Sequence, residues 1–413
     1  MHHLVLIGAG PHGLAVLVAL AAAGTWPQRV TVVDPQPGWC AAWDGKLARL
    51  DLDRLRSPQV HHPGTRPMAL RDMVEALPDE ARLALRRPEA ERVPTPAGMR
   101  RLIDDLTATL GPVEHVLGTA TAITPTRPPG LRPALQPGPD HPGDAERAPV
   151  EVTVANANGE PLRQLEADAV VVAHNPSFPR IPDWAAPLVA DGRAEHAATV
   201  DLRTVEVGGD PVVIVGGGLT AACLALGAAH RGARVLMLSR RPLRARPYDV
   251  DASWLGPRRL ADYHRASISR RRDLIDIARD GGTIPPRTLA LLRDAVAAGR
   301  IELREGVDTE REACEEISGS VSTHLWLATG FEQDLARDRL VGPLVDELGI
   351  RVERGLPDVG DDLRLGGTQV FVTGPYAALT VGPACRNLAG ARPAAQRIAA
   401  ALTRSSETLP ASA

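Results

Sequence analysis

Two glycine-rich segments carry the most specific chemistry in this chain: VLIGAGPHG at 5–13 and VVIVGGGLTA at 212–221. Each follows an apolar run of strand character and opens a run of helix character, the setting in which a G-x-G-x-x-G spacing binds a dinucleotide. In the first segment Gly8 permits the tight turn, Gly10 lets backbone approach a pyrophosphate, and Gly13 lets the helix pack closely on the strand. Gly216, Gly218 and Ala221 take the same three places in the second, alanine being accepted at the third. An anion would sit on each helix N-terminus, where unpaired N–H groups and the helix dipole point at it. The chain is thus expected to hold two nucleotide cofactors.

The residues beyond each turn distinguish the two cofactors. The first helical run leads to RVTVVD, ending in Asp34, 21 residues past Gly13. A carboxylate at that distance hydrogen-bonds a ribose hydroxyl, which suits an unphosphorylated ribose such as that of FAD. The second run leads to RVLMLS, which aligns on RVTVVD without a gap and puts Ser239 in the place of Asp34, followed by Arg240 and Arg241. Removing a carboxylate and adding two guanidiniums is the change a 2′-phosphate requires, so the second site is expected to take NADPH. Paired arginines also occur as a plain solvated face, which is the competing reading of Arg240 and Arg241.

Composition narrows the function classes. At 413 residues the chain exceeds the roughly 250–300 that one core supports, so two domains are expected. A hydrophobic fraction of 44% and a net charge of −3 describe a soluble globular protein with no basic surplus for nucleic acid or membrane. The first strand-like run starts within three residues of Met1, leaving no room for a signal peptide, so a cytoplasmic location is expected. The apolar stretch at 14–23 is too short to cross a bilayer. Lys46 is the only lysine, which leaves little scope for a Schiff base. Cys40, Cys223, Cys314 and Cys385 are far apart and form no C-x-x-C pair, so no disulfide scaffold, metal site or redox pair beside a flavin is expected.

The order of elements implies an α/β chain with two Rossmann-like domains, the NADPH domain inserted into the FAD domain. Residues 1–205 read as the first part of the FAD-binding domain, 206–321 as the NADPH-binding domain, and 322–413 as the return segment. ADAVVVAH at 167–174 and THLWLATGF at 323–331 are apolar runs of the kind buried in a parallel sheet. The Pro/Gly-rich stretch at 124–149 reads as a surface loop. From residue 368 a strand, a glycine loop and a long helix follow, bringing a helix N-terminus near Pro383 toward a ligand.

The succession of FAD fingerprint, Gly38-to-Trp43 turn, NADPH fingerprint and ATGF at Ala328 to Phe331 resembles the two-dinucleotide flavoproteins. Within these it is most similar to the class B flavin monooxygenases, nearest the N-hydroxylating lysine and ornithine monooxygenases. Their F-x-G-x-x-x-H-x-x-x-W signature appears here as Ala190, Gly192, His196 and Val200, keeping only glycine and histidine. The first ATG-type strand end is AHN (Ala173 to Asn175), and a late Gly-Asp is replaced by TGP (Thr373 to Pro375).

The resemblance implies an NADPH-dependent, FAD-containing monooxygenase of secondary metabolism. Such an enzyme uses O2 to N-hydroxylate a small amine or amino-acid-like substrate through a flavin hydroperoxide. It adds Trp43, Thr329, Gly330, Gly374 and Pro383 to the cofactor-binding residues, and it sets the loop of Arg56, Gln59, His61 and His62 beside the flavin as a substrate side. Asn175 and His196 are the candidates for catalysis, although a lone histidine is more often structural. Tyr248, Asp249 and Trp254 form a candidate loop over substrate or NADPH, with packing as the plain alternative. Two other functions keep both fingerprints: a flavin reductase or dehydrogenase serving another acceptor, and a non-catalytic FAD/NADPH-binding protein. Substrate identity and homo-oligomer formation stay open.

Overall fold

A computed structural model describes residues 1–76, 93–126, 148–175, 177–318 and 323–407. Most of the Pro/Gly-rich stretch at 124–149 lies outside the described residues.

Ten strands build two parallel sheets: β1 (His3–Ile7), β2 (Arg29–Asp34), β3 (Glu114–Leu117), β4 (Ala169–Val172), β5 (Ala194–His196), β6 (Pro211–Val215), β7 (Arg234–Ser239), β8 (Ile301–Glu305), β9 (His324–Leu327) and β10 (Val370–Val372). The first sheet has the order β10-β4-β1-β2-β3 and the second β8-β7-β6-β9-β5. Their central strands are near-continuous runs of Val, Leu and Ile because both faces are covered, leaving no solvent side for polar residues. The helix Pro11–Ala22 is buried over most of its length and packs on the C-terminal helix Leu388–Glu407. A three-stranded antiparallel sheet, Thr119–Pro125, Val150–Ala155 and Pro161–Ala167, leans on the first sheet and shares its core.

In each sheet the strand that feeds the glycine turn lies between the strand after it and a strand from much later in the chain. That reversal of order opens a crevice above the carboxyl ends, where ligands of α/β sheets bind. The second sheet takes β5 and β9 from either side of 206–321, so this unit is wider than the sequence reading allowed. β5 was hidden because it is three residues long and its partner strand lies far away in sequence.

One segment departs from the expected assignment. Residues 250–278 follow the second fingerprint, yet Val250, Trp254, Tyr263, Ile275 and Ala278 pack into the core of the first unit. Tyr263 donates its hydroxyl to the carbonyl of Ala378 at 2.8 Å. The segment is an arm that reaches back across the molecule.

Candidate dinucleotide sites and the cleft between them

The two glycine turns are built alike, bond for bond. Gly8 N–H donates to Val33 O and Gly216 N–H to Leu238 O, both at 2.9 Å. Ala173 N–H donates to Ile7 O and Ala328 N–H to Val215 O, both at 2.8 Å. Gly8 (φ +103°) and Gly216 (φ +152°) adopt backbone conformations that favour glycine. A Cβ on either would come 3.0 Å from the carbonyl carbon of Ala173 or Ala328 respectively. Neither following helix is capped by a side chain, so the first N–H groups of Pro11–Ala22 and Leu219–His230 are left for a ligand. Gly10 has nothing within 4 Å of a notional Cβ, Gly13 lies against Gly8 O, and Ala221 is fully buried.

Asp34 and the Ser239 group differ as their chemistry requires. The Asp34 carboxylate accepts from Ala9 N–H and Gln36 N–H, each at 2.8 Å, and so steadies the first turn while keeping further lone pairs. Ser239 is buried and donates its hydroxyl to Arg241 O at 2.6 Å, so it shapes the turn that presents Arg241. Arg241 pairs with Asp280 at 3.6 Å, and Arg244, which the sequence reading passed over, pairs with the same carboxylate at 2.8 Å. Arg240 is exposed and has no ion pair among the described residues.

Around the first turn, Cys40 takes a left-handed conformation (φ 61°) and donates its N–H to Ala9 O at 2.8 Å. Trp43 is half-buried against the cluster of Leu14, Val18 and Cys40. Thr373 and Gly374 (φ +66°) end β10, with His12 Nδ1 3.2 Å from the Thr373 hydroxyl. Pro383 is buried and follows the short helix Ala378–Val381 and Gly382 (φ +130°), and the helix expected to start near it starts at Leu388.

His174, missed in the sequence, donates from Nε2 to Asp338 at 2.7 Å while its Nδ1 is buried without a protein partner. Burial pushes the Asp338 carboxyl up, but His174 and then Tyr376 outweigh it and hold it at about 2. With the open face at Gly10 and the uncapped helix N-terminus after it, the first turn fits a bound dinucleotide.

Of the three candidate histidines, His196 and His62 are both hydrogen-bonded to protein backbone. His196 donates from Nε2 to Gly330 O at 3.0 Å, accepts from Ala198 N–H, and meets Phe331 edge-on at 5.1 Å. It thereby holds Thr329 and Gly330, and Thr329 donates to Arg180 O. His62 is fully buried, donating to Pro67 O and accepting from Gly64 N–H; burial, then Arg392, pull it down to about 4. His61 is half-buried, and burial lowers its pKa. Asn175 is exposed and accepts from Ser177, Gln59 is half-buried, and Trp254 is buried under Arg259.

A charged cluster joins the two units. Arg56 donates to Tyr248 O at 2.9 Å, Arg246 O at 3.2 Å and the Thr283 hydroxyl at 2.5 Å, so its fork is spent on the protein. Asp249 faces Arg279 at 2.5 Å, Arg56 at 3.4 Å and Arg386 at 3.8 Å, and accepts from Asn387. Burial alone would raise its pKa, but Arg279, Arg386 and Arg56 bring it to about 2. Lys46 stands 5.2 Å over the Phe331 ring, and desolvation followed by Arg386 and Arg49 lowers its pKa. Three arginines thus face one carboxylate. Lone charged residues scattered from 46 to 386 leave no periodic signal, which is why this cluster escaped the sequence reading.

No protein-family model matches the chain, and no curated protein matches it in sequence. Solved structures do. The ornithine N-hydroxylase of Kutzneria sp. 744, with reduced FAD, NADP+ and L-ornithine, superposes with a TM-score of 0.71 at 17% identity, covering 98% of this chain and 100% of the other. The ornithine hydroxylase of Pseudomonas aeruginosa gives 0.70 at 18% identity, covering 98% and 99%. The chain has the fold of the N-hydroxylating flavin monooxygenases. The bacillithiol disulfide reductase of Bacillus cereus shares this fold more distantly, with a TM-score of 0.52 at 16% identity over 98% and 99%.

All four cysteines are free, and burial pushes the thiols of Cys40, Cys223 and Cys385 up to about 12. No described helix is long and apolar enough to cross a membrane, and the described residues form no group of three metal-ligating side chains.

Proposed function

We propose that the protein is an NADPH-dependent, FAD-containing monooxygenase that N-hydroxylates the side-chain amine of an amino-acid-like substrate. The observation that carries this reading is the pair of matching switch-point turns, one followed by a carboxylate and the other by arginines. Gly8, Gly10, Gly13, Asp34 and Gly374 would hold FAD. Gly216, Gly218, Ala221, Arg240 and Arg241 would hold NADPH, with Thr329 and Gly330 at the edge of its crevice. Bound together, the cofactors supply hydride and activate dioxygen, chemistry that no side chain here provides.

The protein's own contribution is binding, orientation and proton control. Surplus positive charge from Lys46, Arg279 and Arg386 in the cluster attracts a carboxylate and disfavours an ammonium group. Both effects serve the reaction, because the attacking amine must be uncharged while the far end of an amino acid carries a carboxylate that a diamine lacks. The same charge distribution favours ornithine- or lysine-like substrates over simple diamines. His196 keeps the Gly330 loop in place between the second crevice and Lys46.

The test is to supply FAD, NADPH and air, and to follow oxygen uptake and hydroxylated product over amino acids and matched diamines. Product from a basic amino acid, with less from the diamine of equal length, is the expected result. NADPH consumption that yields only hydrogen peroxide with every amine would overturn the monooxygenase reading in favour of a reductase.

A further inference from the structure

The loop Arg279–Thr283 lies across the second glycine turn in the manner of a ligand. Gly282 packs backbone to backbone on Gly218, the glycine at the pyrophosphate position, and a Cβ on Gly282 would come 2.9 Å from Gly218 Cα. Gly10, its counterpart in the first turn, is open. Gly281 (φ +69°) places its backbone against two guanidiniums, with a notional Cβ 3.4 Å from a terminal nitrogen of each of Arg241 and Arg244. Asp280 meets these same arginines through its carboxylate, and Arg244 also donates to the Asp280 carbonyl. The ends of the loop are tied down: Thr283 by Arg56, and Arg279 by Asp249 and Asn387.

We propose that Asp280 is a built-in competitor at the 2′-phosphate position, held by Arg241 and Arg244 until the phosphate of NADPH displaces it. The proposal rests on the NADPH reading of the second turn and adds Arg244 to the phosphate-reading residues. A phosphate monoester carries close to two charges and three acceptor oxygens, against one charge and two oxygens for the carboxylate, so it wins the exchange. An unphosphorylated ribose brings no anion and leaves Asp280 in place. The loop therefore lowers affinity for NADPH alone and narrows the preference over NADH.

The test is calorimetric titration of adenosine 2′,5′-bisphosphate and of AMP into the purified wild-type protein, Asp280→Asn and Arg244→Ala. Asp280→Asn is expected to bind the bisphosphate about threefold or more tightly, the scale of an exposed ion pair, with AMP unchanged. Arg244→Ala is expected to weaken the bisphosphate alone. If wild type prefers the bisphosphate to AMP but Asp280→Asn gains nothing, the competitor is overturned and the NADPH site stands. If wild type shows no preference for the bisphosphate, the NADPH reading itself falls and the competitor with it.

Discussion

Arg56 donates a hydrogen bond to the carbonyl of Tyr248, 2.9 Å away across the boundary between the two nucleotide-binding units. The same guanidinium reaches Thr283 and Asp249, so one side chain sets where the second turn stands relative to the first. Arg56→Ala removes hydrogen bonds from a charged donor that are worth about 1.5–3 kcal/mol each. We expect a loss of roughly 2 kcal/mol in denaturant unfolding, and slower flavin reduction by NADPH in protein that still binds FAD. Arg56→Lys should recover little of either, because an ammonium cannot make the forked contacts. Unchanged stability and reduction rate in Arg56→Ala would remove its role as a strut.

Separate substitutions should divide the two turns. A methyl group at Gly8 or Gly216 meets a strand-end carbonyl in a conformation that L residues rarely adopt, a cost of about 1–3 kcal/mol. Gly8→Ala should lower flavin content about tenfold or more and give colourless protein. Gly216→Ala should stay yellow and resist reduction by NADPH. Bleached Gly216→Ala together with yellow Gly8→Ala would reverse the cofactor assignment.

Acid should loosen the first unit through His62. Its folded pKa of about 4 lies below the ordinary value of 6.5, so the unfolded chain binds the extra proton. The stabilising contribution is complete above pH 6.5 and is lost as pH falls toward 4. A shift of this size corresponds to roughly 3 kcal/mol at most. His62→Gln, which can keep both hydrogen-bonding roles, should flatten the stability profile in that window. An unchanged slope between pH 4 and 6.5 would place the acid sensitivity elsewhere.

Thiol labelling should single out Cys314. Cys40 and Cys385 are buried, Cys223 is half-buried, and desolvation pushes all three thiols up to about 12, so in native protein a disulfide reagent should modify about one thiol rapidly and the rest slowly or only on unfolding. Rapid modification of Cys40 would reopen thiol chemistry at the first turn.

Much of this architecture is legible in the sequence because it is written in short-range patterns. The β1, β4 and β6 runs announce buried parallel strands, and the glycines and Asp34 sit at spacings fixed by the turn. The reading falters where structure is made by distant residues. Segment 250–278 carries too many arginines to look like part of another unit's core, yet Tyr263 and Trp254 anchor it there. Arg56 and His62 looked like substrate-facing polar residues because sequence gives type and neighbourhood without direction. Their side chains turn inward to backbone carbonyls. Ser239 is a similar case, its hydroxyl bonded inward to Arg241 O.

Phe178–Pro179 and Phe331–Glu332 pair antiparallel, one segment just before β5 and the other just after β9. The chain therefore leaves for the second sheet and returns from it side by side, through a two-stranded neck. The stretch between its strands is still no separable cassette, because it sends Val250, Trp254 and Tyr263 back into the first core. A linker across residues 179 and 331 would close the neck but leave that core open, so a transplanted nucleotide module would have to bring an arm of its own.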